Sequence, residues 1–92
     1  MQLNEQEIIN AVCLNMAERK QVQPTAVEVQ LHWSEDLGFS AEVVVEGRSQ
    51  YLVQANLLEA IERYMLNVHG QRVYRSQIEL DLEDEIFARI TA

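Results

Sequence analysis

The residues that could carry chemistry in this chain are few, and the single cysteine is the first to weigh. Cys13 is the only thiol, and a reactive thiol needs a nearby base and partial exposure to solvent. It falls between Ile9 and Met16 on the apolar stripe of a predicted helix. A small side chain in that position is typical of a hydrophobic core. We therefore expect Cys13 to be buried and unreactive.

The two histidines and one acidic run are the candidate metal ligands. His32 and His69 are far apart in sequence and belong to no metal-binding motif, whereas a zinc site needs several converging ligands. Glu79, Asp81 and Glu83 alternate along a predicted strand, so they lie in a line and do not surround a centre as calcium ligands do. We expect a solvated acidic face that also protects a strand edge, and no bound metal.

Aromatic side chains offer one candidate pocket. Aromatic residues at inward positions of a sheet usually belong to the core, but Trp33, Tyr51 and Tyr64 could instead line a cavity between the helices and the sheet. The chain has no glycine-rich phosphate loop, no serine elbow and no recognisable pair of catalytic carboxylates. We therefore predict no catalytic residue and no cofactor.

Composition limits the classes of partner. The chain has 92 residues, which suits one domain (1–92), and 15 acidic against 7 basic residues give it a net charge of −8. This balance disfavours nucleic acid, whose recognition depends on clustered cations. No apolar run is long enough to span a membrane, and the first residues do not read as a signal peptide. The cytosol is the expected compartment.

Two helices are predicted from their capping signals and apolar periodicity. The first should cover residues 5–20, with Asn4 as N-cap and Glu7 completing a capping box. The second should begin after Asn56, with Glu59 as the matching glutamate, and end at Gly70. The predicted apolar faces are Ile8, Ile9, Val12, Cys13 and Met16 in the first helix, and Leu57, Leu58, Ile61, Tyr64, Met65 and Val68 in the second.

Alternating segments predict five strands. Residues 27–33 and 39–45 should form a hairpin around a turn at 34–38. A third strand over 48–53 would place Leu52 on the face of Val43 after a two-residue loop, or Tyr51 and Val53 there after a three-residue loop. A second hairpin should pair Leu82 with Ile86 around residues 83–85, and a helix over 84–91 is its rival.

These elements give the order α-β-β-β-α-β-β, an α+β fold with two layers. Both helices should pack on one face of a largely antiparallel sheet. A helix followed by a hairpin occurs twice, but the residues match only at the caps, so we infer no internal duplication.

The uncovered face of the sheet is the candidate interaction surface: Gln30, His32, Glu42 and Val44. We expect a non-enzymatic interaction or regulatory module that forms a homodimer through this face or through a free strand edge, and that can also take a protein partner. The alternatives are a small-molecule-binding domain and an enzyme completed only across a dimer interface.

Several segments resemble a known family. They are residues 7–13 (EIINAVC), 27–29 (VEV), 38–43 (GFSAEV), 47–48 (GR) and 55–61 (ANLLEAI), which together are similar to the YxcD-like proteins of bacilli and their relatives. The resemblance spans most of the chain. It implies a cytosolic bacterial protein, and it carries over no activity and no catalytic residue.

Overall fold

Two helices of 16 residues and six strands make up the computed structural model, which describes residues 1–91. The elements are β1 (Gln2–Leu3), α1 (Glu5–Lys20), β2 (Val27–Ser34), β3 (Gly38–Val45), β4 (Arg48–Val53), α2 (Gln54–His69), β5 (Ile78–Leu82) and β6 (Ile86–Ile90). Short 3₁₀ turns, Pro24–Ala26 and Arg75–Gln77, lead from each helix into the next hairpin. The α+β fold and the order α-β-β-β-α-β-β are confirmed, with the two-residue β1 added in front.

The strands form two antiparallel sheets and not one. Their orders are β2-β3-β4 and β1-β6-β5. The chain therefore repeats the order β-α-β-β, and the first strand of each half joins the hairpin of the other half: β1 pairs with β6, and β4 pairs with β3. This exchange ties the N-terminus to the last strand, and the amide of Ile90 also donates to the carbonyl of Met1 at 2.8 Å.

Helix α1 has the predicted limits and the predicted capping box. The amide of Glu7 donates to Asn4 Oδ1 at 2.8 Å, and the Asn4 amide donates back to Glu7 Oε1 at 3.1 Å. Ile9 and Cys13 of the predicted stripe are only half-buried, and three smaller side chains outside that stripe, Ala11, Asn15 and Ala17, are buried instead. The buried residues of α1 are Ile8, Ala11, Val12, Asn15, Met16 and Ala17.

Helix α2 begins earlier than the sequence suggested. The prediction that Asn56 is the N-cap is wrong, because the helix already starts at Gln54. Asn56 instead stands in the first turn, where its Oδ1 accepts from the amide of Val53 at 3.0 Å. Gly70 ends the helix in the left-handed conformation, with φ 65°, as predicted. Val68 of the predicted apolar face is exposed.

The facing of β4 is decided by the turn that precedes it. Glu46 and Gly47 form a two-residue loop with φ of 53° and 75°, the two positive values that a type I′ hairpin requires. Leu52 therefore lies on the inner face and is buried, while Tyr51 points outward. The two-residue alternative is confirmed.

The second hairpin has the predicted register. Leu82 pairs with Ile86, Leu80 with Ala88 and Ile78 with Ile90, so the rival helix over 84–91 is wrong. Every helix and strand contributes to one core. The first hairpin extends beyond that core, because burial falls along β2 from Val27 to a Trp33 that is 46% exposed.

Candidate interaction surface and candidate pockets

The four residues of the predicted interaction surface share one face of the sheet β2-β3-β4. Gln30 pairs directly with Glu42, and Val44 and His32 occupy the neighbouring positions of the same face on either side of that pair. Helices α1 and α2 contact these strands from the other side, where Ala41 is buried. The outer face therefore has no helix over it.

Two further apolar side chains complete this surface, which we call the outer face. Tyr51 pairs with Glu42 and is 68% exposed, and Val53 pairs with Ser40 and is 59% exposed. The sequence did not decide on which face of the sheet Tyr51 and Val53 lie, because a loop longer by one residue would have turned both inward. The outer face consists of Glu28, Gln30, His32, Ser40, Glu42, Val44, Ser49, Tyr51 and Val53.

The corresponding face of the second sheet is occupied by its own ion pairs. Arg89 on the middle strand bonds to Glu79, to which it lies directly opposite, and to Asp81 Oδ2 at 2.7 Å. Its guanidinium also lies 5.2 Å from the ring centroid of Phe87. Hydrogen bonds from Arg89, followed by one from the amide of Leu82, hold the pKa of Asp81 below its usual value. This face therefore has its charges largely satisfied within the chain.

The remaining acidic residues of that hairpin lie at its turn. The carboxylate of Glu85 accepts from the amide of Glu5 at the start of α1, at 3.5 Å. No group of three or more His, Cys, Asp or Glu side chains is placed to hold a metal ion within residues 1–91. The absence of a metal thus remains a prediction, now with Arg89 as the partner of Glu79 and Asp81.

The structure does not bring the three residues of the candidate pocket together. Trp33 pairs with Phe39 at inward positions, whereas Tyr51 lies on the outer face of the same sheet. Tyr64 belongs to α2, where its ring meets that of His69 edge to face, at 5.4 Å between the ring centroids. A single cavity cannot be lined by side chains from opposite faces of one sheet.

Cys13 is half-buried rather than fully buried. Its Sγ donates to the carbonyl of Val27 at 3.6 Å, and burial raises the pKa of the thiol. In the described part of the chain no histidine is bonded to it. A thiol held this way lacks the base and the lowered pKa of a catalytic cysteine.

These features define a small α+β domain with an uncovered sheet face. Residues 1–85 match the family described as "Protein of unknown function (DUF2653)", and the chain belongs to that family. It is also similar to the uncharacterized protein YxcD of Bacillus subtilis (strain 168), with 27% identity over 82 residues that cover 88% of this chain and 80% of that protein. No solved structure matches the chain. In residues 1–91 no helix is both long and apolar enough to cross a membrane.

Proposed function

We propose that this protein is a non-enzymatic interaction module that self-associates as a homodimer through its outer face. The observation that carries the proposal is the exposed apolar row of Tyr51 and Val53 beside Val44, on a sheet face without a helix over it. A two-fold contact is the commonest way for such a surface to be covered. The ion-paired face of the other sheet offers no comparable apolar row.

The size of the outer face sets the kind of dimer. Three strands spaced about 4.8 Å apart, with up to eight residues at about 3.3 Å each, give a footprint of about 14 by 26 Å. Specific interfaces bury about 1,200–2,000 Å² in total. The footprint of the outer face is about 360 Å², so two copies would bury about 700 Å², below that range, and the expected dimer is a weak one.

Charge modulates the contact. Glu28 and Glu42 lie on the outer face, and none of its nine residues is a lysine or arginine. A two-fold contact would bring like charges together in a chain whose net charge is −8. The dimer should therefore tighten as salt screens this repulsion.

The test is light scattering after size exclusion at tens of micromolar protein, at low and at moderate salt. Val44→Glu and Tyr51→Glu should each give a monomer, whereas the control Leu66→Glu, on the exposed side of α2, should dimerise like the wild type. A wild-type monomer under all conditions would reject self-association. A dimer that survives both outer-face substitutions would reject the outer face and leave an unpaired edge, such as that of β2, as the contact.

A further inference from the structure

Apart from the outer face, a hollow lies on the inner side of the same sheet, lined by residues from the end of α1, from β3 and from β4. Val43 and Val45 form part of its wall, and Val22 closes it from the segment after the helix. Its volume is about 650 Å³, within the usual range for small-molecule sites. The remaining lining residues are Lys20, Glu46, Arg48, Ser49 and Gln50.

Two unpaired cations line this hollow. Four of the seven basic residues of the chain are in ion pairs, namely Arg19, Arg63, Arg75 and Arg89. The other three, Lys20, Arg48 and Arg72, have no carboxylate within 4.0 Å among residues 1–91. Two of these three line one hollow, in a chain whose acidic residues outnumber the basic ones by 15 to 7.

The combination of side chains indicates the class of ligand. The planar fork of a guanidinium matches a carboxylate or a phosphate with two parallel hydrogen bonds, and an ammonium adds a compact charge. Val22 and the accessible edge of Val45 offer an apolar contact beside these cations, while the side-chain amide of Gln50 can add one directional hydrogen bond.

We propose that this hollow binds a small organic anion, with its carboxylate or phosphate head on Arg48 and Lys20 and its apolar body against Val22 and the accessible edge of Val45. This places a small-molecule site between helix and sheet, at residues other than the aromatic trio considered from the sequence. The hollow lies on the inner side of the sheet and shares only Ser49 with the outer face, so neither its cations nor its valines belong to the proposed dimer contact.

The experiment is an amide NMR titration with hexanoate and hexyl phosphate as probes. Saturable shifts should centre on residues 20–22 and 43–50. Arg48→Gln and Lys20→Gln should each weaken binding about tenfold, the effect of losing one charge-assisted hydrogen bond. Arg72→Gln removes the same charge outside the hollow and should leave the affinity unchanged. 1-Hexanol, which lacks the anionic head, and inorganic phosphate, which lacks the apolar body, should each bind at least about tenfold more weakly.

Several outcomes would overturn the site. They are the absence of saturable shifts, equal weakening by Arg72→Gln, and binding of 1-hexanol as tight as that of hexanoate. Val44→Glu protein should bind the probes like the wild type, which separates this test from that of the dimer.

Vesicles of phosphatidylglycerol should not sediment the protein, because the net charge of −8 opposes a negative surface. Co-sedimentation that Arg48→Gln abolishes would make a lipid head group the ligand and overturn the free anion.

Discussion

Arg89 partly neutralises the acidic strand β5. It lies between Glu79 and Asp81 on an exposed sheet face, and hydrogen bonds to both keep its own pKa raised. The segment 79–85 carries five acidic residues, and two of their negative charges are therefore paired with Arg89 in the fold. Such exposed pairs contribute little to stability, but here the pairing lowers the pKa of Asp81.

The pH dependence of Asp81 tests this arrangement. Its pKa in the folded protein lies below the ordinary 3.8, so the pair stabilises the fold fully above that pH and the contribution is lost as the pH falls through the lower folded value. Arg89→Gln should raise the pKa of Asp81, though only part of the way, because the amide of Leu82 still donates to it. Carboxyl-carbon NMR titration measures the shift, with Arg72→Gln as the control. An unchanged titration of Asp81 in Arg89→Gln would contradict the pairing.

Cys13 should react slowly in the native protein. Burial raises the pKa of its thiol and so lowers the thiolate fraction near neutral pH, and packing restricts the approach of a reagent. Labelling with a chromogenic disulfide at pH 8 should be much slower in buffer than in urea. Equal or faster labelling of the native protein would revive a catalytic or redox role for this residue.

At the scale of single elements, the two helices differ in how they begin. The N-cap of α1 is a polar side chain that bonds the first turn, whereas the cap of α2 is Val53, the last residue of a strand. Strand β4 runs into α2 without a loop, so the exit of the strand sets the start of the helix. The Asn-x-x-Glu pattern at 56–59 therefore lies inside the helix instead of before it.

Paired substitutions at the two asparagines test these starts. Asn4→Ala should lower the free energy of unfolding by about 1 kcal/mol, the usual cost of losing an N-cap. Asn56→Ala should cost less, because alanine favours the helical conformation and so offsets the lost bond to the Val53 amide. Urea unfolding measures both. If Asn56→Ala costs as much as Asn4→Ala, the helix begins after Asn56.

The whole molecule is closed by the exchange of first strands between its halves. Leu3, on a strand of only two residues, is 0% exposed and belongs to the common core. Because β1 has only two residues, the sequence shows no alternating pattern that would predict a strand there. The N-terminal residues are therefore structural, and the second sheet would have only two strands without them.

Leu3→Ala should be among the costly substitutions in the chain. A fully buried leucine reduced to alanine loses about 2–5 kcal/mol of unfolding free energy. Met1→Ala should change it by less than about 0.5 kcal/mol, because that side chain is exposed and its backbone bond to Ile90 does not depend on the side chain. Urea unfolding of the two variants gives the comparison. A small loss for Leu3→Ala would mean that β1 does not dock on β6.

Much of the fold could be predicted from the sequence, because the signals involved are local. The capping box of α1 joins residues three apart, and each hairpin register follows from alternation on both sides of a short loop. The four predicted residues of the outer face share that face for the same reason: in paired strands the side-chain period of two places them together. These interactions act between neighbours in the chain, so the pattern of residue types is enough to specify them.

Only the tertiary structure decided the remainder. The facing of Tyr51 and Val53 depends on one residue of loop length, and both loops suited the sequence. The pairing of Leu3 with Ala88 and the shared hollow of Lys20 and Arg48 join residues distant in sequence. Trp33 alternates like a core residue yet is 46% exposed, because it lies at the end of its hairpin and outside the common core. Burial and proximity of this kind depend on how the elements pack in three dimensions. Local periodicity reports only on residues that are close in sequence, so it does not predict that packing.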